Sequence, residues 1–263
     1  MNDIFFILAG FAVGLIIGLT GVGGGSLMTP LLIFFFGVKP YLAVGTDLLF
    51  AAFTKLGGTV KLARSRSVDW RVVLHLCAGS IPASLVTLFV LRQLGPANPE
   101  TQSLMTTTLG ITLLLTAAAT LYKAIHGKAI PAQIAEGQEI AAATPRHWTL
   151  PLLFGAVIGT LVTITSVGAG AIGVTVLMLL YPMLPLRRIV AADIAYAVPL
   201  TLVAGLGHAS LGTVDWSLLA KLLIGSIPGI WLGSHFIHRV PERIIRSLLS
   251  LLLVYAGIKL IAM

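Results

Sequence analysis

The sequence predicts an all-α membrane protein of ten transmembrane segments arranged as two inverted five-segment repeats, on three observations. Hydrophobic residues make up 57% of the 263 positions while Asp, Glu, Lys and Arg together make up 10%, too little charge to cover a water-facing surface. Apolar runs approach the ~20 residues that cross a ~30 Å hydrocarbon core, and they recur with short polar interruptions. The second half then repeats motifs of the first in the same order.

In chain order the segments fall at 4–20, 25–37, 41–62, 71–92 and 103–122, then at 148–166, 170–183, 188–208, 216–237 and 243–262. The first run follows Asp3 rather than a basic cluster and precedes no small-x-small cleavage pattern, so it reads as a retained helix. Residues 1–125 form the first repeat and 148–263 the second. Between them, 126–147 place His126, Lys128, Glu136, Glu139 and Arg146 among small and polar residues, a cytoplasmic linker that cannot face lipid.

The repeat is explicit. Gly10, Gly14, Thr20, Val22, Gly23, Gly25 and Pro40 recur as Gly155, Gly159, Thr165, Val167, Gly168, Gly170 and Pro185. One inserted residue later, Val44, Asp47, Val68-Asp69-Trp70 and Gly79-Ser80-Ile81-Pro82 recur as Val190, Asp193, Val214-Asp215-Trp216 and Gly225-Ser226-Ile227-Pro228.

An odd number of crossings per repeat inverts the second copy. Ten crossings with both termini outside place Lys61, Arg64, Arg66, Arg71, Lys123, Lys128, Arg146, Arg187, Arg188, Arg239, Arg243 and Arg246 at cytoplasmic ends, against Lys39, Arg92 and Lys259 outside. Making segments 2 and 7 re-entrant divides the same residues nearly evenly, so the positive-inside rule favours ten. The formal charge of +8 is thereby explained by topology; the basic residues are scattered among short loops, which excludes a nucleic-acid partner.

The two glycine-rich interruptions carry the most chemical information. Thr20-Gly21-Val22-Gly23-Gly24-Gly25-Ser26 precedes segment 2, and Thr165-Ser166-Val167-Gly168-Ala169-Gly170 precedes segment 7. Glycine lets backbone unwind and approach a ligand, and the helix that follows opens with free N–H groups and a positive dipole end, a ready anion site. Segments 2 and 7 are too short to span, so these broken helices are expected to meet near the midplane and bind substrate there. The competing reading is that the glycines permit close helix packing.

Asp47 and Asp193 are equivalent carboxylates inside apolar runs, where ionisable residues are functional candidates. They are expected to cap the broken helices or to carry a proton. Thr46 precedes Asp47, and Lys55 shares its broad helix face, with Thr201 as the counterpart of Lys55 in the second repeat. Asp69-Trp70 and Asp215-Trp216 read as helix caps with interfacial aromatics. Cys77 is the single cysteine and reads as a small hydrophobe. His75 and His208 are isolated and lie in no ligand pattern, so no metal and no cofactor are expected. No nucleophile elbow, Walker loop or triad spacing is present, and an enzyme is not expected.

The glycine-rich repeats, Pro30-Leu31-Leu32, Ala43-Val44-Gly45-Thr46-Asp47 and the Val-Asp-Trp repeats resemble the TauE/SafE family of sulfite exporters over nearly the whole chain. The resemblance implies a plasma-membrane permease, in a bacterial inner membrane, for sulfite, an organosulfonate or another small anion. The second half departs from the glycine pattern, with Ala169 opposite Gly24 and Ala171 opposite Ser26. Export by alternating access, with a proton as a candidate coupling ion, is the expected function. A passive anion channel and a non-transporting scaffold are the alternatives, and the sequence leaves a homodimer open.

Overall fold

The structure is a computed structural model that describes residues 2–20, 25–64, 68–126, 149–182, 184–236 and 242–262. Among the described residues it contains ten α-helices: α1 Asn2–Thr20, α2 Gly25–Phe36, α3 Pro40–Arg64, α4 Trp70–Leu94, α5 Pro99–His126, α6 Thr149–Thr165, α7 Ala171–Leu180, α8 Leu186–Ser210, α9 Trp216–Phe236 and α10 Glu242–Ile261. They follow the ten expected segments. Within the described residues, Trp70–Leu94, Pro99–Leu121, Arg188–Ser210 and Trp216–Gly233 are long and apolar enough to cross a membrane.

Several helices extend beyond their apolar runs because capping chemistry sets their ends. Asp69 caps α4 by accepting from the Arg71 and Val72 N–H groups, and Gly95, at φ 77°, ends it. Asn98 accepts from the Glu100 N–H at 3.3 Å, with Pro99 at the first helical position, so α5 starts four residues before its apolar run. Asp215 accepts from the Leu218 N–H at the start of α9. Trp70 and Trp216 are both exposed, as interfacial rings should be.

The short helices α2 and α7, of 12 and 10 residues, rise only about 18 and 15 Å at 1.5 Å per residue. Each runs roughly half the thickness of a hydrocarbon core.

The helices pack by exchange between the halves. α1 lies against α9 with Gly10 on the backbone of Leu222 and Gly14 on that of Ser226; α4 lies against α6 with Gly155 on Leu76 and Gly159 on Ser80. These two contacts are the same contact written in the two repeats. A Cβ at Gly10 or Gly159 would sit 2.3 or 2.4 Å from a facing carbonyl oxygen, so only glycine permits these approaches. Close packing therefore accounts for Gly10, Gly14, Gly155 and Gly159.

At the centre α3 crosses α8. Thr59 donates to the Ile194 carbonyl at 3.4 Å, Gly205 packs on Leu49, and Gly45 on His208, so the two helices run antiparallel. α5 and α10 are antiparallel too, with Gly110 against Gly257 and Ile261, and Gly257 against Leu114. Each of these helices thus meets its own repeat counterpart head to tail. Two buried cores flank the crossing. One joins α4 to α6, α7 and α8 through residues such as Leu76, Ile158, Leu177 and Tyr196. The other joins α9 to α2, α3, α5 and α10 through Met28, Phe50, Leu109, Leu222 and Leu253.

Candidate functional site

The second interruption is a built turn. α6 ends at Thr165, whose hydroxyl reaches back to the Leu161 carbonyl at 2.6 Å and also receives the Val167 N–H at 3.1 Å. Ser166 adopts φ 59°, the left-handed region that non-glycine residues rarely enter. Its counterpart in the first repeat is Gly21, a residue that takes this conformation at no steric cost. Gly168 and Gly170 follow at φ 127° and 137°. α7 then begins without a side-chain cap on its first N–H groups, which leaves the positive end of its dipole at the turn.

Lys55 of α3 reaches this turn from the other half of the chain. Its ammonium donates to the Ala169 carbonyl at 3.4 Å, and the residue is only 7% exposed. Asp193 of α8 and Asp47 of α3 both act on it electrostatically. One buried cation and two buried carboxylates are therefore gathered where α3 and α8 cross. Each such charge costs several kcal/mol to bury, on the order of the attraction it recovers.

The two carboxylates sit alike against the short helices. Asp47 Oδ2 accepts the hydroxyl of Thr29 in α2 at 2.5 Å, with both residues fully buried. Asp193 packs its carboxylate directly on Gly173 of α7, where any Cβ would collide with Oδ1. Asp47 thus meets α2 four residues after its first residue, and Asp193 lies against the first turn of α7. Beside Asp47 stands the buried Ser166 hydroxyl, and neither Asp47 Oδ1 nor Ser166 Oγ closes a full hydrogen bond. Buried polar atoms without partners are uncommon in folded proteins.

The remaining expected residues divide. Thr46 Oγ1 accepts the Asp215 N–H at 3.0 Å and so ties α3 to the start of α9. Val167 is buried in the core shared with α9 and α10, and Ser26 is half-buried in the first turn of α2. Thr20 and Gly25 end α1 and begin α2. Gly21, Val22, Gly23 and Gly24 lie outside the described residues. The structure accordingly brings Ser166, Ala169, Asp47, Lys55 and Asp193 together, with Thr29 as an addition.

His208, isolated in sequence, is fully buried and bonded on both ring nitrogens, to Thr213 Oγ1 at 2.8 Å and to the Thr163 carbonyl at 2.9 Å. Thr163 in turn donates to Ser84 of α4 at 2.7 Å. Neither Thr29 nor His208 stands out in sequence, because a hydroxyl or a lone imidazole in an apolar helix is most often a locally satisfied group. His208 is held by two threonines, Thr163 near the end of α6 and Thr213 just beyond α8.

The chain is 34% identical to a probable membrane transporter protein, YjnA, of Bacillus subtilis over 98% of its own length and all of that protein's. It is 27% identical to a second such protein of that organism, YdhB, over 97% and 98%. It is 25% identical to a probable membrane transporter protein of Methanocaldococcus jannaschii over 96% and 92%. No solved structure matches it. The family described as sulfite exporter TauE/SafE matches residues 6–260, which takes in both interruptions and all three central charges, and the chain belongs to that family.

Proposed function

We propose that this chain is a membrane carrier that exports a small sulfur-containing anion, sulfite or an organosulfonate, by alternating access around the crossing of α3 and α8. The observation that carries the reading is Lys55: a nearly fully buried ammonium on a broken-helix carbonyl, where residues from both halves converge. An anion seated there meets the ammonium, the Ser166 hydroxyl and the uncapped start of α7. Gly21, Val22, Gly23 and Gly24, with Thr20, Gly25 and Ser26, furnish the corresponding cradle in the first half, as Thr165, Ser166, Val167, Gly168, Ala169 and Gly170 do in the second.

Inverted repeats are part of this reading. The antiparallel meetings of α3 with α8 and of α5 with α10 support it, since parallel repeats would make these pairs run the same way. Two half-depth helices entering from opposite sides give a carrier a fixed central site with a moving wall on each side. Both termini then lie outside a bacterial inner membrane.

The test is flux from proteoliposomes loaded with sulfite, sulfoacetate or chloride, with and without a pH gradient. Saturable efflux of a sulfur oxyanion at carrier rates is expected, along with its loss in Gly24→Val while the protein stays folded in the membrane. Ion currents far above carrier rates would assign a channel instead. Absence of flux for every anion would leave a helix-packing scaffold.

A further inference from the structure

Ser166 holds a left-handed φ of 59° although it carries a side chain. Such a conformation persists only where its surroundings fix it. Part of the fixing is local: the Ser166 N–H reaches the Val162 carbonyl at 2.7 Å, and the Val167 N–H turns to the Thr165 hydroxyl at 3.1 Å. The rest comes from another helix. The Thr163 carbonyl, three residues before Ser166, is held at 2.9 Å by Nε2 of His208 in α8.

His208 is itself fixed from the far side. Its Nδ1 meets the Thr213 hydroxyl at 2.8 Å, and the Thr213 N–H donates to the His208 carbonyl at 3.0 Å, so the ring and the loop after α8 close on each other. That junction also bears on α3. Gly45 packs on the Thr213 carbonyl and on Cβ of His208, with no room for a side chain of its own, and Thr46 Oγ1 accepts the Asp215 N–H at 3.0 Å. Asp47 is the next residue of α3. One buried imidazole therefore links the Ser166 turn of the second half to the stretch of α3 that carries Asp47. The first repeat has Leu62 in place of His208 and Gly21 in place of Ser166, and glycine takes positive φ without such support.

We propose that His208, with Thr213, is a positioning residue that fixes the Ser166 turn against the Asp47 stretch of α3 and thereby sets the affinity for the transported anion without touching it. Both ring nitrogens are bonded within the protein, so the imidazole acts through the turn it holds. The affinity part rests on the function proposed above; the positioning part rests on the geometry alone. Loss of the ring should free the Thr163 carbonyl and let the strained turn relax, which exposes Ser166 and displaces its hydroxyl from the anion.

The experiment compares the full chain with His208→Ala, with His208→Gln, which keeps a side-chain N–H for the Thr163 carbonyl, and with Gly225→Ala, which disturbs the packing of α9 on α1 and leaves the bonds of His208 in place. Sulfite flux from proteoliposomes gives KM and kcat for each. The same changes in a Ser166→Cys, Cys77→Ser background give the rate at which a thiol reagent labels the turn in detergent. His208→Ala should raise the KM and speed the labelling, each about tenfold, with kcat changed less, since a misplacement of about 1 Å has effects of that order or more. His208→Gln should recover most of both, and Gly225→Ala should alter neither. A KM and a labelling rate in His208→Ala equal to those of Gly225→Ala would overturn the proposal, as would faster labelling with an unchanged KM. If His208→Ala does not fold, Thr213→Val, which strips Nδ1 of its partner, takes its place with Thr213→Ser as the rescue. Faster labelling, restored by glutamine, in a chain that moves no anion would keep the positioning role and reject the transport reading.

Discussion

At the end of α6 the Val167 N–H bonds to the Thr165 hydroxyl, so the Thr163 carbonyl loses its helical partner, and His208 Nε2 supplies one at 2.9 Å. A carbonyl only accepts, so Nε2 carries the proton. His208→Ala should leave that buried carbonyl unsatisfied and lower stability by about 1–3 kcal/mol, read by thermal unfolding in detergent, whereas His208→Gln, which keeps an N–H donor, should recover part of the loss. Thr29→Val removes the hydroxyl that Asp47 accepts and should cost about 1.5–3 kcal/mol as a hydrogen bond to a charged group. A variant as stable as the original would show that Asp47 does not depend on α2. The charged residues of the site were legible in sequence because Asp47, Lys55 and Asp193 interrupt apolar runs, where every charge demands a reason. Thr29 and His208 were not, since their value lies in partners 18 and 45 positions away.

Glycine has two distinct uses among the elements. Gly168 and Gly170 supply positive φ between α6 and α7, while Gly79 and Gly225 let helices touch: a Cβ would lie 2.0 Å from the Leu152 carbonyl oxygen in one case and 1.9 Å from that of Ile7 in the other. Gly79→Ala or Gly225→Ala should force α4 from α6, or α9 from α1, and destabilise by about 1–3 kcal/mol as overpacking does. Gly57→Ala, with nothing within 4 Å of the added carbon, should be neutral or gain up to about 1 kcal/mol from helix propensity. Equal unfolding temperatures for the three variants would contradict this division. Segment order and the shortness of α2 and α7 were readable from hydropathy and from the glycine breaks. Helix ends were less so, since capping by Asp69 and Asn98 carries α4 and α5 past their apolar runs. The use to which each glycine is put needed the facing backbone.

For the whole molecule, the repeat in sequence does not correspond to two separate packing units. α4 packs with α6 to α8 and α9 with α1 to α3, so both cores are built from helices of both halves. That exchange follows from contacts between residues more than 60 positions apart and has no local signature. It also bears on mechanism, because relative movement of the halves must carry α4 and α9 with their partners. Ser166 sits at the centre of this arrangement, and a cysteine there reports on which side of the membrane reaches the site. In a Cys77→Ser background, Ser166→Cys in proteoliposomes should be modified by a membrane-impermeant thiol reagent applied from either face, and sulfite should slow both reactions. Modification from one face only, unchanged by sulfite, would contradict a central site opened alternately to the two sides.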